Sequence, residues 1–222
     1  MPTTYAHCRF GEDMLLRMPA DVRGTAKRYR QLFDVGLQGP DLLFYYRPVL
    51  TGKVHRLGQK YHMQTGKEFF SRVCRNLRRE PSEGGQAYLY GVLCHFALDA
   101  NCRPLVAHVE SPAGAESAFD RFLMDLDGLF PGGQWLRMAL TEREWGIVSR
   151  FYPGTDRRVL QKSVRCMAKT RRIPNQERAD WNQLLLAGYQ RAAEQFPEML
   201  LKLIAHLQYN APLGEKFDPI FG

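Results

Sequence analysis

No stretch of this sequence alternates apolar and polar residues for long enough to build a sheet, which argues against β and α/β folds. No apolar run approaches the ~18 residues that a membrane-spanning helix requires. The opening MPTTYAHCRFGEDMLLRM has no charged segment followed by an apolar one, so no secretory leader is expected. The five cysteines (Cys8, Cys74, Cys94, Cys102, Cys166) are scattered without a Cys-x-x-Cys pair, a usage that fits reduced thiols in the cytoplasm. Internal repeats and low-complexity segments are missing too. Acidic residues are outnumbered, 23 against 31 basic ones, for a net charge of +8. That balance favours anionic partners: phosphate esters, nucleic acid or an acidic membrane surface. It does not choose among them.

What is present is helical. With 45% hydrophobic residues, 222 residues can bury a full core, and we expect one all-α domain over residues 1–222, a helical bundle. Apolar residues recur at helical spacing over 11–34, with a break near Pro19, and over 62–79, where Phe69, Phe70, Val73 and Leu77 share a face. Between them, DVGLQGPDLLFYYRPVLTGK mixes Gly and Pro with aromatics and reads as an ordered, packed loop. SPAGAESAFDRFLMDL starts another helix, and Thr141 with Glu144 forms a capping box. A long helical region covers about 178–209 and is expected to kink or divide at Pro197. In DRRVLQKSVRCMAKTRR, Arg158, Lys162, Arg165, Lys169 and Arg172 recur on one side, with Leu160, Val164 and Met167 opposite. Such a helix either lies against anionic membrane or nucleic-acid phosphates or is simply a solvated bundle face.

The sharpest anomaly is YLYGVLCHFALDAN, an apolar helix that carries His95 and Asp99 one turn apart. Burying an unpaired carboxylate costs several kcal/mol, so a hydrogen-bonded partner or a metal ion is required. Histidine is scarce, with six residues at positions 7, 55, 62, 95, 108 and 206. His7 follows a short apolar approach, Asp41 ends the Gly-Pro turn GLQGPD, and His62 precedes a helical segment. Loops and one central helix could assemble a zinc site from these residues.

The order of TYAH, DVGLQGPD…FYY, LGQKYH…GKEFF, CHFALD, SAFDRFLM and FDPIFG resembles the bacterial zinc-dependent phospholipase C family, in its branch without a signal peptide. The resemblance implies an all-α bundle, shared with fungal single-strand nucleases, around zinc ions that serve phosphodiester or phospholipid headgroup hydrolysis. Carried over by motif, Asp41, His62, His95 and Asp99 would hold zinc, with Asp99 able to bridge two ions and His7 joining it at a second site. Asp41 would also act on the attacking water. Two departures stand out. Arg103 occupies the position of a family histidine in NCRP, and Pro112 that of another ahead of Glu116, which remains as a ligand candidate. Arginine does not ligate zinc, so Arg103 is a candidate phosphate clamp and one or two ions are expected rather than three. His108 is close enough to substitute but has no motif setting.

Three functions follow as expectations. The first is a zinc-dependent phosphodiester hydrolase of the phospholipase C type. The second is a degenerate member that binds anionic lipid or nucleic acid, without turnover or with little. The third is a single-strand nuclease that uses Phe44, Tyr45 and Tyr46 to stack bases. No protein partner is implied.

Overall fold

The apolar run around His95 forms α6 (Glu83–Val106), a 24-residue helix without a polar face. Ser82 caps its start by accepting a hydrogen bond from the Gly85 amide. The structure, a computed structural model, describes residues 4–46, 52–107, 112–128, 139–169 and 179–221. Three helices precede α6 closely: α1 (Thr4–Arg17), α2 (Ala20–Arg28) and α3 (Arg30–Gly36). A 3-10 turn over Gly39–Tyr45 leads to α4 (Lys53–His62) and α5 (Gly66–Arg79). After α6 come α7 (Pro112–Leu126), α8 (Glu142–Ser149), α9 (Arg157–Lys169) and α10 (Ala179–Tyr209). No strand occurs among the described residues, only an isolated bridge between Thr65 and Ile220. The fold is all-α.

α6 packs chiefly against α3 and α10, with α1 and α2 alongside. Glycine sets the α3–α6 crossing. A Cβ on Gly91 would lie 2.2 Å from the Phe33 carbonyl oxygen, and one on Gly36 would lie 2.4 Å from that of Tyr88. This backbone-on-backbone approach delivers the chain after α3 to the side of His95.

At the other end of the site, Phe69, Phe70, Phe96, Phe217 and Phe221 form a fully buried cluster. Burial of each ring contributes about 1.5–3 kcal/mol. The segment at 217–221 is pinned to the start of α5 by Gly66 N–H donating to Pro219 O (2.9 Å) and Phe221 N–H donating to Gln64 O (3.0 Å).

Four expectations need revision. A helix begins at Thr4, upstream of the periodic region at 11–34, because α7 supplies acceptors for its first turn (below). The segment read as a loop contains the 3-10 turn and ends at the first residue of α4, a helix the sequence reading left unassigned, and His62 is the last residue of α4 rather than a lead-in to α5. The break between the two helices falls at the Thr65 capping box of α5. Pro197 does not divide α10, which runs on from Ala179 to Tyr209. Proline leaves the carbonyl four residues earlier without its helical donor. Arg17 Nη1 fills that place, donating to Ala193 O at 3.1 Å. The Thr141–Glu144 capping box forms as the sequence indicates.

Candidate metal centre

His95 and Asp99 are completely buried on one face of α6. The His95 Nδ1–H donates to the Leu37 carbonyl at 3.2 Å, which leaves Nε2 with a free lone pair. That lone pair faces Asp99 Oδ2 at 3.3 Å. Two acceptors face each other there. Gly39 closes over the ring: its φ is +48°, and a Cβ would lie 2.4 Å from His95 Cδ2. Phe221 lies behind the same ring, with centroids 6.3 Å apart and planes at 26°.

His7 enters from α1. Its ring stacks on His95 at 4.3 Å, and its Nε2 lies 3.4 Å from Asp99 Oδ1. The start of α1 is held by α7. The buried Asp120 carboxylate accepts from the backbone N–H groups of Tyr5 (3.1 Å) and Ala6 (2.8 Å), two first-turn donors with no partner inside the helix. Asp127 adds a second fastening, accepting from the Tyr5 hydroxyl (2.6 Å) and Arg9 Nε (2.7 Å). Asp120 lies in the SAFDRFLM motif, to which the sequence reading assigned no role beyond the resemblance. The available signal was a carboxylate one turn beyond Glu116, on a helix face otherwise made of Ala115, Phe119 and Leu123.

Asp41 and His62 form the other half of the cluster. His62 Nδ1–H donates to the Gly58 carbonyl within α4 (2.9 Å), and its Nε2 lies 2.7 Å from Asp41 Oδ1. With Nδ1 committed as donor, a proton or a cation must sit between Nε2 and the carboxylate. Phe44 packs on the His62 ring at 4.7 Å and on His55 at 5.0 Å. The Asp41 side chain keeps 12% of its surface exposed, whereas that of Asp99 keeps none, so the cluster meets solvent on the Asp41 side.

Two sets of potential ligand atoms lie within 4.8 Å of one another: His7, His95 and Asp99, and Asp41, His62 and His95. Among the described residues, five buried atoms in the first set find no hydrogen-bond partner: His7 Nδ1 and Nε2, His95 Nε2, and both Asp99 oxygens. Orphaned buried polar groups on this scale are rare. Burial pushes the His95 imidazole down to about 4, against the pull of Asp99. Burial works to raise the Asp99 carboxyl, but His95 and His7 outweigh it and hold the group down at about 2. At neutral pH the pair is therefore a neutral imidazole beside a carboxylate, the protonation state that binds a metal ion. The donor set, imidazole nitrogen and carboxylate oxygen, suits zinc.

The model of a family described as zinc-dependent phospholipase C matches residues 6–153, more than half of the chain. The chain belongs to this family. Comparison with curated proteins and with solved structures gives no match. All five clustered residues lie inside the span that matches the family, whereas α9, α10 and the 217–221 segment lie beyond it.

The other residues expected from the resemblance fall outside both sets. Glu116 is buried in α7, one turn before Asp120. Arg103 is half-buried in the last turn of α6, four residues beyond Asp99, and belongs to neither set. α6 continues through Pro104 to Val106. His108 and Arg172 lie outside the described residues. Pro112 begins α7. No described helix is long and apolar enough to cross a membrane.

Proposed function

We propose that the protein is a zinc-dependent hydrolase of phosphodiesters, with a phospholipid headgroup as the favoured substrate class. One observation carries this reading: five buried, unpartnered ligand atoms from His7, His95 and Asp99 beside a second imidazole–carboxylate pair, Asp41–His62. Zinc bound there supplies Lewis acidity toward a phosphoryl oxygen and brings the pKa of water at the ion to about 7. His95 has a single free nitrogen, so it serves one ion at a time. Two ions would divide the cluster into His7 with Asp99 and Asp41 with His62, His95 completing one of them. Glu116 is the ligand candidate for an ion displaced toward α7.

The chain's own groups do the rest. Leu37 and Gly58 carbonyls fix the His95 and His62 tautomers so that Nε2 points inward. Asp41, at the open edge of the cluster, orients the attacking water and takes up its proton. Arg103 offers a permanent positive charge to the substrate phosphate, where a histidine would have offered a metal ligand. For a phospholipid the substrate lies in a membrane, and the exposed basic residues Arg158, Lys162 and Arg165 on α9 support contact with an anionic one.

Metal analysis of the purified protein, with zinc titration into the chelated form, tests the centre. Turnover of bis-p-nitrophenyl phosphate and of phosphatidylcholine tests the chemistry. We expect at least one zinc per chain and turnover that is lost in His95→Ala. Failure to take up zinc would overturn the reading. The Arg103 and Pro112 departures favour one alternative, a family member that binds zinc and anionic ligand without hydrolysis; zinc uptake with no turnover of either substrate selects it. The nuclease reading has less support, since Phe44 packs on two histidines and Tyr46 lies under Lys162 (5.4 Å), so both rings are already engaged. Cleavage of single-stranded DNA in preference to lipid would restore it.

A further inference from the structure

The turn that carries Asp41 lies between two basic helices. α4 packs on its Phe44 side, where Gly58 is close enough that a Cβ would touch Leu43 and Phe44. α9 packs on its Tyr46 side through Lys162. The Tyr61 hydroxyl donates to Pro153 O (2.9 Å), which ties α4 to the turn that leads into α9. α9 buries Leu160, Val164 and Met167 and exposes Arg158, Lys162 and Arg165, as its periodicity indicated. α4 holds a second stripe that the sequence reading overlooked. Lys53, Arg56 and Lys60 are exposed along one side, and the exposed Met63 continues that stripe immediately after His62. Neither helix contains an acidic residue, and none of these six cations is engaged in an ion pair with another described residue.

Resting on the hydrolase reading, we propose that the α4 and α9 stripes form one docking face for an anionic bilayer, which brings the open Asp41 edge of the metal cluster to the lipid headgroups. Charge complementarity selects an anionic partner. Met63, 69% exposed within the α4 stripe, selects a bilayer over a polyphosphate backbone, because an apolar side chain gains by entering the acyl boundary and gains nothing from phosphate. α9 lies beyond the span that matches the family model, so this half of the face is not among the positions the family pattern covers.

Co-sedimentation of the zinc-loaded full chain with phosphatidylcholine vesicles, with and without phosphatidylglycerol, tests the proposal. Binding is expected only with phosphatidylglycerol and should weaken with salt. The triple reversals K53E/R56E/K60E and R158E/K162E/R165E should each lower vesicle affinity at least about a hundredfold, at about fivefold per cation lost. Met63→Asp should lower it further without altering affinity for a single-stranded oligonucleotide. All variants should turn over soluble bis-p-nitrophenyl phosphate at the parent rate, and all but the α9 reversal, which loses the Lys162–Tyr46 contact, should melt like the parent. Equal binding to uncharged vesicles, vesicle binding indifferent to both reversals, or tighter binding of the oligonucleotide than of anionic vesicles would overturn the docking face. Loss of soluble-substrate turnover in the unmodified chain would instead count against the hydrolase reading and leave the vesicle result standing.

Discussion

Replacing Asp120 by asparagine exchanges one oxygen for an NH2 group and leaves the side-chain volume almost unchanged. In the parent, both carboxylate oxygens accept from α1, at 3.1 Å from the Tyr5 nitrogen and 2.8 Å from that of Ala6. In Asp120→Asn the amide oxygen keeps one of these bonds, and the NH2 group faces the other N–H as donor against donor. Leaving one buried donor unsatisfied costs about 1–3 kcal/mol. The negative charge that favours the positive end of the α1 dipole also goes, worth a further ~0.3–1 kcal/mol. Part of that cost is offset, because burial has already pushed the Asp120 carboxyl up to about 7 and ionising it is unfavourable. A net loss of about 1–3 kcal/mol should lower the melting temperature by several degrees. The metal cluster should suffer disproportionately, because His7 lies one residue beyond the Ala6 amide. Loss of a group that orients a ligating imidazole costs about 10–100-fold in metal affinity. Zinc titration calorimetry on the chelated protein reads this directly. Val148→Ala, a core truncation in α8, serves as a comparison that lowers stability without touching α1. If Asp120→Asn melts early yet binds zinc as the parent does, the carboxylate merely fastens two helices and the positioning argument is wrong.

Gly39→Ala should be poorly tolerated: the left-handed φ costs about 1–2 kcal/mol, and the new methyl meets the His95 ring, so zinc uptake should fall together with the melting temperature. Arg17→Ala should cost about 0.5–1.5 kcal/mol by orphaning Ala193 O, and much less in a Pro197→Ala background, where a backbone N–H is restored; a double-mutant cycle by denaturant unfolding measures the coupling. In the zinc-free chain, His95 is held at about 4 against an ordinary value of 6.5, so between those values the unfolded state binds a proton that the folded state refuses. Its contribution is complete above pH 6.5 and is lost as pH falls toward 4, about 3 kcal/mol in all; because Asp120, held up at about 7, titrates in the opposite sense over the same range, the difference between denaturant melts of the parent and of His95→Gln should recover it.

The sequence was most informative where it contradicted itself. His95 and Asp99 stand out in an apolar helix because no elementary packing rule places them there, and the structure leaves their inward atoms without hydrogen-bond partners. The stripe on α9 was equally plain, since one helix face carries the whole signal. Asp120 was obscure because its partners are backbone amides more than a hundred residues away, and an amide has no sequence identity. α4 was hidden behind Gly52 and the prolines before it, which read as loop punctuation; in the fold, Gly58 is where Phe44 approaches the helix. For the opposite reason, Pro197 does not divide α10, one of the two outcomes expected of it. The local rule is sound, but a guanidinium from α1 restores the missing donor, and only tertiary structure can supply that.

The ring of Phe221 behind His95 gives the site an unusual dependence on chain order. The clustered imidazoles and carboxylates all precede residue 100, yet the wall behind them comes from a residue more than a hundred positions later. A chain emerging from the ribosome would hold every one of these groups, with α6 already able to form, while the aromatic backing was still unmade. Zinc acquired at that stage would meet a loose set of side chains, and tight retention would begin only after the 217–221 segment had paired with the start of α5. Metal retention would then act as a maturation gauge, distinguishing chains that have closed from those that have not.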